Sequence, residues 1–184
     1  MERKTIRNAR VAVVVSNDPG ARALRIAKKH GVKAVVVESR GASRETYGQR
    51  LAEVLYSNNV VPGKGLVLLA GFMRILSKTF VDIYEGRIMN IHPALLPSFP
   101  GMDAQRQALE HGVKVAGCTV HFVTAEVDAG PIILQKAVPV KDGDSEESLS
   151  QRILRQEHRM YPLAVKLFQE GRLHIKGTKV RIEA

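Results

Sequence analysis

The 184-residue sequence has no tryptophan, one cysteine and aromatic side chains at only 5% of positions. A single cysteine, Cys118, cannot close an internal disulfide, which excludes a disulfide-stapled fold and points to a reducing, cytoplasmic setting. Long apolar runs are missing too. The longest, Leu66 to Ala70 with its neighbours, falls far short of the ~20 residues that span a bilayer. Met1 is followed at once by Glu2, Arg3, Lys4 and Thr5, so no secretory leader is read there. The shortage of aromatics removes the stacking platforms that grip single-stranded nucleic acid, and no zinc or RNP-type motif stands in for them. What is present is 45% apolar and 25% charged, enough for one hydrophobic core, and residues 1–184 are read as a single domain.

The formal charge of +10 is unevenly spread. Residues 1–50 hold 12 Lys or Arg against 4 Asp or Glu, residues 51–150 hold 8 against 11, and residues 151–184 hold 8 against 3. Basicity therefore sits at both ends of a slightly acidic middle. A solvated basic surface accounts for it, with anionic small molecules as a second possibility. Nucleic acid and membranes are not expected partners.

Val11 to Val15 is a short, β-branched, wholly apolar run that stops at Ser16-Asn17-Asp18-Pro19-Gly20, which reads as a buried strand leading into a helix. From Ala21 to Lys29 the apolar residues Ala23, Ile26 and Ala27 recur at helical spacing, and Gly31 follows as a stop. Ala34 to Val37 is a second buried strand, Ser43 to Ser57 a helix carrying Leu51, Val54 and Leu55, and Leu66 to Gly71 a third strand. This alternation predicts an α/β fold with an open, mostly parallel twisted sheet and helices on both faces. Further on, Asp103 to His111 reads as a helix, Cys118 to Val123 and Ile132 to Val138 as strands, and Leu173 to Ile182 as strand-like. Asp144 to Glu147 matches a capping box opening a long helix over 145–169.

In such sheets ligands lie beyond the carboxyl ends of the strands. Asn90-Ile91-His92-Pro93 stands at one such end: residues two apart share a strand face, so Asn90 and His92 project together and Pro93 stops the ladder. An imidazole can donate a hydrogen bond or a proton there, and an amide can stabilise an oxyanion without titrating. The same two side chains could instead satisfy nearby loop backbone. Asp128, in Val127-Asp128-Ala129-Gly130-Pro131, reads as a turn former or as a partner for His92; 36 positions apart, spacing alone does not pair them. If they meet, the carboxylate orients the ring and favours the imidazolium. Cys118 lies in an apolar strand and reads as a core residue, and the histidines lack metal-ligand spacing, so no metal is expected.

Four ordered segments then carry a resemblance: Leu69-Ala70-Gly71-Phe72-Met73-Arg74-Ile75-Leu76, Asn90 through Gly101, Gly117-Cys118-Thr119-Val120-His121-Phe122-Val123, and Val127 through Ile133. Together, across Val11 to Gly171, they closely resemble the phosphoribosylglycinamide formyltransferases of purine biosynthesis. The resemblance implies formyl transfer from 10-formyltetrahydrofolate, as co-substrate, to the amine of glycinamide ribonucleotide. By position it implies Asn90 and His92 as the catalytic pair and Asp128 as the carboxylate that raises the pKa of that His. Met73, Arg74, Ile75 and Leu76 match the segment holding the pterin, with Asn90 adjoining. Arg44 falls near another folate contact, and Glu157 matches the acid that binds ribose hydroxyls. His121 lies in the matched signature and is read as structural. Folate and the ribonucleotide are the implied partners, and the oligomeric state, homodimer included, is left open.

The departure is at the front. Family members begin with a strand, a Gly-x-Gly-Ser-Asn-type loop holding the substrate phosphate, and a helix; here Val11 to Asp18 resembles the family's second strand and Met1 to Ile6 the last turn of that first helix. The expectation is that a βα unit is missing, that the natural start lies upstream of Met1, and that without it glycinamide ribonucleotide binding is severely weakened. Two other readings stay open. One is a different 10-formyltetrahydrofolate user, of the methionyl-tRNA formyltransferase or formyltetrahydrofolate deformylase type, although their additional domains do not fit within 184 residues. The other is a non-catalytic folate- or nucleic-acid-binding remnant.

Overall fold

The computed structural model describes Ile6 and residues 9–183. The reading of Met1 to Ile6 as a last helical turn thus lies, apart from Ile6, outside the described residues. The first strand, β1 (Val13–Ser16), feeds α1 (Arg22–Lys29) and then β2 (Lys33–Val36), which pairs with β1 in parallel, Val13 opposite Lys33 and Ser16 opposite Val36. Helix α1 buries Leu24 and Ala27, carries Lys28 and Lys29 in its last turn where the helix dipole favours cations, and ends before Gly31. Next come α2 (Arg44–Ser57), capped by Ser43 on the Thr46 N–H, β3 (Val67–Leu69), and α3 (Lys78–Ile83), capped by Ser77 on the Phe80 N–H. The remaining elements are β4 (Ile88–His92), α4 (Ala104–Glu110), β5 (Val115–Phe122), β6 (Ile132–Pro139), α5 (Glu146–Gln169), β7 (Leu173–Lys176) and β8 (Lys179–Ile182).

The fold is α/β, and among the described residues its strands form two sheets rather than one: β1-β2, and a six-stranded sheet in the order β3-β4-β5-β6-β8-β7. The larger sheet is mixed. Pairs β3–β4 and β6–β8 are parallel, whereas β4–β5, β5–β6 and β7–β8 are antiparallel. The antiparallel pairing of β5 with β6 and of β7 with β8 fits their connections, which are too short for a crossover.

Three buried clusters hold the chain together. One packs Tyr47, Leu51 and Leu55 of α2 and Phe80 and Val81 of α3 onto Ile88 of β4. A second sets Leu149 and Ile153 of α5 against Cys118 and Val138, and a third sets Ala164 against Met89, Val120 and Phe122. At ~25 cal/mol per Å² of apolar surface, each wholly buried Leu or Ile contributes about 1.5–3 kcal/mol relative to exposure. The α5 entry differs from the sequence expectation. The N-cap is Ser145, whose side chain accepts from the Ser148 N–H while Ser148 Oγ accepts from the Ser145 N–H. Asp144 instead pairs with Arg152 at 2.6 Å and receives the Lys141 N–H, a better match for its charge than a cap. Tyr161, mid-helix, points its hydroxyl at the carbonyls of Leu69 and Met89, 2.8 Å from each, and so fixes α5 beneath the ends of β3 and β4. Among the described residues no helix is long and apolar enough to cross a membrane.

Candidate active site

β4 ends in the site. Its alternation places Asn90 and His92 on one face, and the antiparallel register sets Asn90 opposite His121 and His92 opposite Thr119 of β5. Asp128 arrives from the loop between β5 and β6. Its φ of +51° is unusual for a residue with a Cβ. One carboxylate oxygen, Oδ2, lies 3.4 Å from His92 Nδ1 and accepts the Gly101 N–H at 2.8 Å; the other, Oδ1, lies 3.6 Å from His121 Nε2. The two residues that spacing could not pair are thus neighbours.

Hydrogen-bond chemistry then assigns protons. The Phe99 carbonyl can only accept, so His92 Nε2, 2.8 Å away, carries a hydrogen and donates to it. The Phe122 carbonyl likewise accepts a hydrogen from His121 Nδ1, at 2.8 Å, and His121 Nε2 stands 3.3 Å from Asn90 Nδ2 and 3.6 Å from Asp128 Oδ1. Burial pushes the Asp128 carboxyl up, but the approach of His121, the Gly101 N–H and the His92 imidazole outweigh it and hold the group below its ordinary value.

The loop that covers His92 is fixed from β5 and β6. Thr119 Oγ1 donates to the Ala94 carbonyl at 2.7 Å and accepts the Leu96 N–H at 3.0 Å, while Gln135 Nε2 reaches both the Leu96 carbonyl and Thr119 Oγ1. The Leu96–Pro97 bond is cis. His92 is only 4% exposed under this loop, and its ring satisfies the loop backbone at the Phe99 carbonyl.

The other expected positions fall as follows. Met73 and Ile75 are exposed, Arg74 lies 5.3 Å above the Tyr47 ring, and the Leu76 side chain is buried in the core, so only its backbone is offered to a ligand. Arg44 is the exposed first residue of α2. Glu157 is half-buried on α5, where burial pushes its carboxyl up against the opposing pull of His158. The Cys118 thiol is wholly buried and pushed up to about 11 by burial and then by the negative charge of Glu157, which leaves it protonated and inert. Among the described residues no group of three His, Cys, Asp or Glu side chains could hold a metal ion. His121 and Thr119 are the residues sequence reasoning undervalued. Their signal was the alternation in β5, with polar side chains at 119 and 121 between apolar ones at 118, 120 and 122.

Comparison with known proteins gives this site a context. The formyl transferase family matches residues 2–165. The phosphoribosylglycinamide formyltransferase of Escherichia coli is 46% identical over 89% of this chain and 76% of its own length. The trifunctional purine biosynthetic protein adenosine-3 of Gallus gallus is 48% identical over 91% of this chain, which spans only 16% of that larger protein. The crystal structure of glycinamide ribonucleotide transformylase 1 from Symbiobacterium toebii is similar, with a TM-score of 0.91, 55% identity and coverage of 95% of this chain and 81% of that one.

Proposed function

Because the chain belongs to the phosphoribosylglycinamide formyltransferase family, we propose that it transfers the formyl group of 10-formyltetrahydrofolate to the amine of glycinamide ribonucleotide. The amine attacks the formyl carbon and forms a C–N bond, giving a tetrahedral oxyanion. The bond to the folate nitrogen then breaks, and the proton lost by the amine ends on that nitrogen, relayed through water. Asn90 Nδ2–H and His92 Nε2–H are the donors for the oxyanion, and Asp128 holds the far side of the His92 ring. For His92 to reach substrate, its Nε2–H exchanges the Phe99 carbonyl for the formyl oxygen, two acceptors of one kind. Met73, Arg74, Ile75, Leu76 and Arg44 are proposed to bind the folate, and Glu157 the ribose. The partners of this reading are small molecules, no metal takes part, and a cytoplasmic location and a homodimer are its remaining expectations, the latter checked by sedimentation velocity.

The observation that carries the proposal is the convergence of Asn90, His92, His121 and Asp128 from two strands and a loop. The test is a formyl-transfer assay that follows tetrahydrofolate release in the presence of glycinamide ribonucleotide. His92→Ala and Asn90→Ala each should lower kcat by about 10²–10³. Turnover unaffected by His92→Ala would overturn the mechanism.

A further inference from the structure

The register of the larger sheet lines up three polar residues on three adjacent strands. His92 of β4 stands opposite Thr119 of β5, and Thr119 stands opposite Gln135 of β6. Cross-strand partners share a face, and this face is turned away from α5, because Cys118 and Val120 on either side of Thr119 pack with the α5 clusters. All three members of the row hold one loop. His92 Nε2 donates to the Phe99 carbonyl at 2.8 Å, while Thr119 Oγ1 donates to the Ala94 carbonyl at 2.7 Å and accepts the Leu96 N–H at 3.0 Å. Gln135 Nε2 donates to the Leu96 carbonyl at 2.8 Å and to Thr119 Oγ1 at 3.0 Å. A hydroxyl has one hydrogen and two lone pairs, so these contacts saturate Thr119. The strand also makes room for the loop: a Cβ on Gly117, two residues before Thr119, would come 2.7 Å from Leu95 Cδ2.

We infer that Gln135 is a positioning residue for the reaction, acting through residues 94–101 on His92 and Asp128. This rests on the formyl transfer proposed for the site. In that transfer His92 exchanges the Phe99 carbonyl for the formyl oxygen, so the loop loses its bond to the end of β4 at the moment of reaction. The bonds from Thr119 and Gln135 remain to hold it. The same loop supplies the Gly101 N–H to Asp128 Oδ2, and that oxygen stands 3.4 Å from His92 Nδ1. A shift of the loop therefore disturbs both sides of the imidazole, the acceptor at Nε2 and the carboxylate behind Nδ1. Thr119 is wholly buried, whereas Gln135 is exposed and belongs to none of the three buried clusters, so its contribution lies in these hydrogen bonds and not in core packing. Misplacement of a reacting group by about 1 Å costs roughly 10²-fold in rate, so the loss of an anchor is read in turnover.

The variants are Gln135→Met, of similar length without a donor, and Gln135→Glu, of the same shape with an oxygen set against the Leu96 carbonyl. Each is expected to keep the far-UV spectrum and to lower kcat by about tenfold or more, with KM for 10-formyltetrahydrofolate and for glycinamide ribonucleotide within about threefold of wild type. A second readout needs no turnover. In ¹⁵N NMR of the histidine rings, the His92 Nε2–H should exchange with solvent about tenfold faster or more in both variants than in wild type. A purely structural role would lower the urea midpoint and leave kcat and the His92 ring proton unmoved. Unchanged kcat in the variants beside an active wild type, or unchanged exchange at His92, would overturn the inference. A wild type that transfers no formyl group would overturn the assigned reaction instead, and the exchange measurement would still decide whether Gln135 positions His92.

Discussion

Asp128 holds a left-handed φ of +51°, a conformation that a residue with a Cβ keeps only when its surroundings impose it. The surroundings here are the Gly101 N–H and two imidazoles, all directed at one carboxylate. Asp128→Asn keeps the shape and removes the charge. The folded-state pKa lies below the ordinary value, so the carboxylate stabilises the fold fully above the unfolded value of about 4, and the contribution is lost as pH falls through the lowered one. The stability gap between wild type and Asp128→Asn in urea unfolding should therefore be constant from pH 7 to about 5 and shrink toward pH 3. A gap that persists unchanged into acid would show that the charge contributes nothing to the fold. Of these four site residues, Asn90 and His92 were legible from their position at a strand end. The partnership with Asp128 was not, because it depends on the path of a loop 36 positions away, and His121 was undervalued because its role lies in the cross-strand register opposite Asn90.

Elements built on a single local signal were legible: α1 from helical spacing and Gly31, and β1 and β2 from β-branched runs. The six-residue α3 was not, since it is too short to display a period, and the capping signal at α5 was displaced by one residue because Asp144 had a stronger partner in Arg152. Nor was the antiparallel pairing of β5 and β6. A strand buried along nearly its whole length, as β5 is, carries no mark in its sequence of the direction in which its neighbours run. The close approach behind this pairing is tightest at Gly130, where a Cβ would lie 1.8 Å from the Phe122 carbonyl oxygen, a backbone atom that cannot swing aside. Gly130→Ala should cost about 2–3 kcal/mol through forced backbone movement. Gly112→Ala, where the φ is +66° but nothing lies within 4 Å, should cost about 1 kcal/mol. Urea midpoints of the two variants compare them directly, and a Gly130→Ala variant no less stable than Gly112→Ala would show that β5 and its following loop are not in contact in solution.

Across the whole molecule the divided sheet implies a division of stability. Strands β4 and β5 are buried and paired on both edges, so opening them requires breaking two ladders and exposing the clusters around Met89 and Val120. Strands β1 and β2 have four residues each, a single shared ladder and only partial burial, and their connecting helix exposes Arg22, Arg25, Lys28 and Lys29 to mutual repulsion. This unit is joined to the remainder mainly through Val13, Val15, Val35 and Val37 packing against the α2–α3 cluster. Local opening free energies track such differences. Native-state hydrogen exchange should therefore show the ladder amides of β1 and β2 exchanging at least about 100-fold faster than those of β4 and β5, a difference of roughly 2.7 kcal/mol. Added salt should narrow the difference by screening the basic helix. Equal protection in the two sheets would mean that the single ladder between β1 and β2 among the described residues is no weaker than the doubly paired centre of the larger sheet.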